Sequence, residues 1–392
     1  MKRIAVVFEE NVFDPKGTFR AKLERVRHLM KQGGLSVDVW CVQVRYTWIE
    51  RLLLGKRSLG GVTEASLGRP ETLVFDGITY HMLWLDYSII DHFLFFKLGR
   101  RPWFYPRFLK NKASLFKGYD ALSAHGFEGA FLAKTVKEQY GIPYCVSWHG
   151  SDIHTKPFRY PCIRPITAGL IAGAYMNFFV SQALLRESDE VGPGNKMVLY
   201  NGCDESFRRM PDAYRSSLRR RYCVDDDVKV VGFAGGLVAV KNASLLPEIF
   251  SRIRDLYEGP VAFWVIGDGP LGAAVKRQME VPCRFWGNLP PELMPEVFNA
   301  MDLLVLPSRQ EGLGLVLIEA LRCGCKAVGS EVGGIPEVLD SRHCVAPGDG
   351  FADRFAAASV EALLSSEPQT VPEAMSWDAS ARMENEILLE CI

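Results

Sequence analysis

Short, nearly unbroken apolar runs recur along this chain, each followed by a glycine-rich or polar turn and then by apolar positions three and four residues apart. The runs at 4–8, 37–41, 119–125, 144–148, 178–181, 230–237, 261–266 and 303–306 have the length and continuity of strands buried on both faces, as in a parallel sheet. Helical periodicity runs through Leu23, Val26, Leu29 and Met30, then through 130–138, 213–221, 245–257, 293–300 and 315–321. A last pair of helices is predicted at 352–364 and behind Trp377. Gly33-Gly34 closes the first helix, and Gly141-Ile142-Pro143 separates the helix at 130–138 from its next strand. Strands alternating with helices on both sides of residue ~200 predict two α/β domains, each with a mostly parallel sheet.

The stretch 305–337 organises the rest. An apolar run stops at Pro307-Ser308, a polar loop follows, and Gly312-Leu313-Gly314 opens the helix at 315–321. Glycines at such a turn let backbone N–H groups approach a ligand, and the helix start adds partial positive charge, which suits a phosphate. Glu311 and Glu319 bracket the turn; were the segment helical throughout they would stand ~12 Å apart, about the span from a sugar ring to a ribose across a diphosphate. Carboxylates accept hydrogen bonds from paired hydroxyls. An ordinary buried strand–helix unit with two solvated glutamates has the same spacing.

Taken together, Pro307-Ser308, Glu311-Gly312-Leu313-Gly314, Glu319 and Gly333-Gly334-Ile335-Pro336-Glu337 closely resemble the signature of retaining GT-B glycosyltransferases of glycosyltransferase family 4. By that resemblance Glu311 holds the transferred sugar and Glu319 the ribose, while the backbone over Gly312, Leu313, Gly314, Leu315 and Val316 meets the diphosphate. His149-Gly150-Ser151-Asp152 resembles the acceptor-domain motif, which sets His149 against the transferred sugar near its 6-position. A histidine ending a parallel strand also points into the crevice where such sheets bind ligands; His125 and His154 read as structural. Gly235-Gly236-Leu237 with Lys241 resembles the Gly-Arg-Leu element and its lysine, whose two cations bind the diphosphate. Gly236 stands in the arginine's place, so one cation is missing unless Arg284 or Lys16 replaces it. Gly17 is the one residue available for the first-strand glycine contact, and Arg284-Phe285-Trp286 matches the loop where the base is read, largely by backbone.

The resemblance implies two Rossmann-like βαβ domains facing each other across a cleft, with a C-terminal helix crossing back to the first. The expected division is 1–195 for the acceptor, 196–227 as connector, 228–370 for the nucleotide-sugar donor and 371–392 for the returning helix. The implied activity is a retaining, metal-independent transfer of a hexose or N-acetylhexosamine from a nucleotide sugar, UDP first, to a glycan or lipid-linked acceptor. Glu311, His149 and Lys241 form the catalytic set; no cofactor is expected beyond the co-substrate. A nucleotide-sugar 2-epimerase of the same fold is the alternative, as is a degenerate protein that binds nucleotide sugar without turnover.

Composition refines the partners. The chain has 392 residues, 48% of them hydrophobic, and balances 46 Lys+Arg against 46 Asp+Glu. Residues 1–195 carry 26 Lys+Arg against 18 Asp+Glu and the remainder 20 against 28, so the halves differ as +8 and −8. Between 46 and 110 aromatic residues such as Trp48, Phe93, Trp103 and Phe104 alternate with Arg51, Lys56, Arg100, Arg107 and Lys110. That mixture suits an anionic membrane surface, and equally a helix pair with a polar outer face. No nucleic-acid recognition pattern is present. Ten dispersed cysteines form neither a disulfide framework nor a zinc pattern, and Met1-Lys2-Arg3 runs straight into a strand. A cytoplasmic protein, with peripheral contact to the inner face of the membrane, is expected. Asp225-Asp226-Asp227 reads as a solvated turn rather than a metal site.

Overall fold

The structure is a computed structural model and describes residues 1–10, 17–45, 70–86, 88–100 and 102–392. Lys16, Arg101 and the aromatic and basic residues expected to act between 46 and 69 lie outside them. The chain divides into two compact units: 1–201 with 377–392, and 202–376.

The first unit is built on an eight-stranded sheet in the order β3-β4-β2-β1-β5-β6-β7-β8. Its strands are β1 (Lys2–Glu9), β2 (Leu35–Arg45), β3 (Thr72–Phe75), β4 (Ile78–Asp86), β5 (Ala121–His125), β6 (Tyr144–Trp148), β7 (Met176–Phe179) and β8 (Lys196–Val198). All pairings are parallel except the edge hairpin β3-β4. The hairpin turns at Asp76-Gly77, both with positive φ (51° and 78°), as a tight two-residue turn requires. Sequence reasoning assigned no element between 42 and 115, although Asp-Gly between apolar residues is a recognised hairpin signal. It also ended this domain's sheet at 178–181; β8 adds an edge strand inside the stretch expected to be connector, where three half-buried residues, Lys196, Met197 and Val198, leave no apolar run to read.

The returning helix, Trp377–Glu390, belongs to this unit and packs on the helix Gly17–Lys31. Arg25 and Glu384 meet there at 3.0 Å, with side chains 1% and 0% exposed. Ser123 donates to Glu384 Oε1 (2.7 Å) and Arg25 donates to Ser147 Oγ (3.2 Å). His28 faces Asp378 at 2.7 Å, and Asn385 donates to the Gly33 carbonyl. Such a pair is held by its added hydrogen bonds as much as by Coulomb attraction.

The second unit carries a six-stranded, wholly parallel sheet in the order β11-β10-β9-β12-β13-β14. These are β9 (Lys229–Ala234), β10 (Val261–Ile266), β11 (Cys283–Gly287), β12 (Leu303–Leu306), β13 (Lys326–Ser330) and β14 (Cys344–Val345). Its core includes Phe233, Phe250 and Phe298. The helix Asp212–Arg221, also expected in the connector, belongs to this unit: Arg215 and Arg219 pair with Asp302 at 2.8 and 3.1 Å. Asp225, Asp226 and Asp227 are exposed in a turn, with Asp226 3.8 Å from Arg219. Among the described residues no helix is long and apolar enough to cross a membrane.

Candidate functional site

β12 is buried between β9 and β13 and delivers the chain to Pro307-Ser308 at its C-terminal end. Residues 307–314 form an irregular loop that bends at 309 and at 312–313, and the helix begins at Leu315 and runs to Arg322. Helix does not extend back to Glu311: Gly314, at φ 84° and ψ 55°, is the residue before it, a left-handed conformation costly for any residue with a side chain. The ~12 Å separation inferred from a continuous helix therefore does not apply. Leu317, Ile318, Ala320 and Leu321 are buried, so Leu315, Val316 and Glu319 form the helix's half-exposed face. Glu319 stands three and four residues beyond them, on one stripe.

Glu311 is nearly buried and is held from two sides. Its Oε1 accepts from Ser308 Oγ (2.8 Å) and pairs with the ammonium of Lys241. Arg309 N donates to the Val240 carbonyl (2.8 Å), and its Nε donates to Asn242 Oδ1 (3.0 Å), which ties the Lys241 loop to the Glu311 loop. Gly333, at φ 51°, closes the other side: a Cβ there would stand 1.9 Å from the Glu311 carbonyl oxygen. Pro307-Ser308 had signalled the motif, but the serine's grip on Glu311 was not foreseen.

Gly235 and Gly236 follow β9, and Leu237 N donates to the Asp268 carbonyl (3.1 Å). A Cβ on Gly236 would meet nothing nearer than Val238 Cγ2 at 3.8 Å. Space for a larger side chain is therefore present where the resemblance expects arginine. Arg284 is occupied elsewhere: it donates to the Tyr222 carbonyl (2.9 Å) and lies 3.8 Å over the Trp286 ring. Arg284 and Trp286 share one face of β11 with Tyr222 and Trp264, and Phe285 takes the other, under Lys276.

In the first unit, register pairs Phe8 with His125 and His125 with Ser147, so Glu9, His125 and His149 emerge at the same edge of the sheet. His125 Nδ1 lies 3.1 Å from His149 Nε2, with the rings nearly parallel. Burial holds both well below the ordinary histidine range, helped by the charges of Lys22 and Arg25. Two neutral imidazoles therefore share one hydrogen bond, one donating and one accepting. Beside them Glu9 is pushed up to about 8, by burial first and then by the charge of Glu128. Tyr105 donates its hydroxyl to Glu9. Lys156 stands 2.9 Å from Asp152 and 3.5 Å from Glu128; burial opposes its charge, but the two carboxylates keep it protonated. His125, read from sequence as merely structural, thus touches His149. Glu9, Tyr105, Glu128 and Lys156 were not foreseen, although the strand-end rule applied to His149 applies equally to Glu9. Gly17 begins the first helix, and His154 pairs with Thr155 at 2.7 Å.

The family described as glycosyl transferases group 1 matches residues 228–365. The N-acetyl-alpha-D-glucosaminyl L-malate synthase of Bacillus anthracis is 28% identical over 250 residues, covering 60% of this chain and 64% of that protein. The chain spans about half the length of the curated relatives it matches, for example 55% and 49% in two others. Among solved structures, Anabaena Alr3699/HepE in complex with UDP-glucose superposes with a TM-score of 0.68 at 16% identity, covering 100% of this chain and 98% of that one. Sucrose-phosphate synthase from Thermosynechococcus elongatus gives 0.69 at 14%, over 100% and 97%. At those identities the structures establish the fold, that of GT-B glycosyltransferases. Residues 228–365 thus match the family described as glycosyl transferases group 1, within a chain whose fold is that of GT-B glycosyltransferases.

Proposed function

We propose that the chain is a retaining, metal-independent glycosyltransferase of family 4. It moves a hexose or N-acetylhexosamine from a nucleotide-diphosphate sugar, UDP first, to a hydroxyl of a glycan or lipid-linked acceptor in cell-surface polysaccharide or glycolipid biosynthesis, on the cytoplasmic side of the membrane. The observation that carries this reading is Glu311, fixed by Ser308 and Lys241 beside a glycine-led helix start. A carboxylate held so rigidly suits the hydroxyls of a bound sugar. Lys241 and the helix N-terminus neutralise charge that builds on a departing diphosphate. The solved UDP-glucose complex of the HepE neighbour supports the choice of donor.

In this scheme the acceptor hydroxyl attacks the anomeric carbon on the face the diphosphate leaves. The carbon–oxygen bond to phosphate breaks as the new glycosidic bond forms, and the acceptor's proton passes to a leaving phosphate oxygen. His149, neutral and steadied by His125, takes the sugar's hydroxyl side.

A second reading, binding without turnover, is favoured by one observation: Gly236 supplies no cation, and Arg284 is engaged with Tyr222 and Trp286. Thermal-shift titration with UDP, GDP, ADP and their sugars, followed by turnover assays with and without acceptor, separates the readings. Stabilisation by a UDP-sugar with release of UDP on adding acceptor is the expected result. Tight binding with no release on any glycan or lipid-linked acceptor would favour the second reading, and conversion of donor alone to an isomer would indicate an epimerase.

A further inference from the structure

Glu9 ends β1 on the edge of the first sheet where His125 ends β5 and His149 follows β6. Ligands of such sheets bind beyond the carboxyl ends of the strands. One ammonium ties the group together: Lys22 pairs with Glu10 at 2.5 Å, and its charge acts on Glu9, His125 and His149 alike. The other carboxyls of the cluster are taken, Glu10 by Lys22, and Glu128 and Asp152 by Lys156. Among the described residues Glu9 forms no ion pair, and Tyr105 is the one hydrogen-bond donor to it, at Oε2. Oε1 is left for a ligand, and Glu9 stays partly exposed, as His149 does.

Tyr105 is placed by a carboxylate far from β1. Asp91, 4% exposed, accepts from the N–H groups of Trp103 (2.6 Å), Phe104 (3.0 Å) and Tyr105 (2.7 Å). These amides open the helix Phe104–Lys112 and have no partner within it. Holding all three fixes the first turn, and with it the hydroxyl that meets Glu9. Burial and the charge of Glu128 raise Glu9 to about 8. Near neutral pH it therefore carries a proton and can donate as well as accept, as a sugar hydroxyl does.

We propose that Glu9 binds a hydroxyl of the carbohydrate acceptor, and that Tyr105 and Asp91 are the positioning residues that hold it in place. All three lie outside the motifs that carry the family resemblance. The inference rests on the transferase reading for its ligand and adds to it a pH dependence of acceptor binding. Once ionised, Glu9 cannot donate, and its charge joins those of Glu10, Glu128 and Asp152 against Lys22 and Lys156. The remaining groups around it, Tyr105, Cys41, His125 and His149, are all shifted toward their neutral forms and do not change charge with it.

The test is binding of the fluorescently labelled full chain, with UDP present, to an array of glycans below and above the rise of Glu9 to about 8, beside a thermal-shift titration with UDP-glucose. The native protein should retain glycans at the lower pH and bind them roughly 5- to 10-fold less at the higher, the loss of one hydrogen bond. Glu9→Leu should lose that factor already at the lower pH. Glu9→Gln keeps a donor and an acceptor but cannot ionise, so its binding should show no fall between the two. Tyr105→Phe removes a hydrogen bond that favours the ionised carboxyl, and should move the midpoint of the fall to higher pH, which a loss of packing alone would not do. Asp91→Asn, which sets an amide N–H against one of the three backbone donors, should do the same to a smaller extent. Melting identifies the folded variants, and the pH response of Glu9→Gln and Tyr105→Phe carries the test if Glu9→Leu does not fold. Native-like glycan binding by Glu9→Leu, or a fall that persists in Glu9→Gln, would overturn the assignment, and an unmoved midpoint in Tyr105→Phe would overturn the positioning role. Retention of no glycan by a native protein that UDP-glucose stabilises would also overturn it while leaving the donor half of the transferase reading standing; no response to either ligand would remove both.

Discussion

At the end of β12 the polar chemistry is carried by one turn: a carboxylate fixed by a serine three residues earlier and by one lysine, glycines around it, and a helix start behind it. At the ends of β1, β5 and β6 it is carried by side chains drawn from separate segments, two neutral histidines and a cluster of carboxylates around Lys156. The first arrangement sets a helix start and the ammonium of Lys241 beside the same carboxylate. The second sets two neutral imidazoles among charged groups that are already paired, such as Lys156 with Asp152 and Glu128 and Arg25 with Glu384. A phosphate suits the first, in keeping with the donor role that the family resemblance implies for it.

The comparison breaks most readily at Glu311. Glu311→Gln should lower transfer by on the order of 10²- to 10³-fold, the cost of removing one preorganised group, with the donor still bound. Glu319→Ala should weaken nucleotide binding by roughly 10- to 100-fold, the worth of a hydrogen bond to a charged group. Initial rates and calorimetric titration check the pair, and unchanged values in both variants would dissolve the distinction between the units.

The first unit should prove more sensitive to a distant change. Glu384→Ala strands the buried guanidinium of Arg25 and should cost about 3–5 kcal/mol, read from urea unfolding. A loss below about 1 kcal/mol would mean that the returning helix adds little to that unit.

Titration sharpens the contrast further. Glu9 rises from an ordinary 4.5 to about 8, so through that window the folded state keeps a proton the unfolded chain has released, and stability falls as pH rises. His125 and His149 are shifted down; they lose stability only as pH falls below the ordinary 6.5. Between 6.5 and about 8, Glu9 acts without them. Denaturant midpoints across that range should decline in the native protein and flatten in Glu9→Gln.

The smallest expected effect is a gain. Gly236→Arg fits the open space and restores the second cation, so stability should change by no more than about 0.5 kcal/mol, as at an unconstrained surface site. Transfer should rise roughly several-fold through added charge stabilisation, measured as kcat. A fall would show that the site had been tuned around glycine.

By itself the sequence determined the alternation of buried strands and helices and the turn after β12, with Gly314 placed just before the helix. Those features depend on residues adjacent in the chain, where hydrophobic period and glycine placement act directly. It also placed His149 just beyond a strand end, because a strand end is a local feature. Tertiary structure alone decided that His125 touches His149, that Tyr105 meets Glu9, that Arg284 donates to the Tyr222 carbonyl, and that Glu384 completes a core begun at Arg25. Each joins residues 24 to 359 positions apart, and no periodicity along the chain records which strand ends the sheet order will bring together.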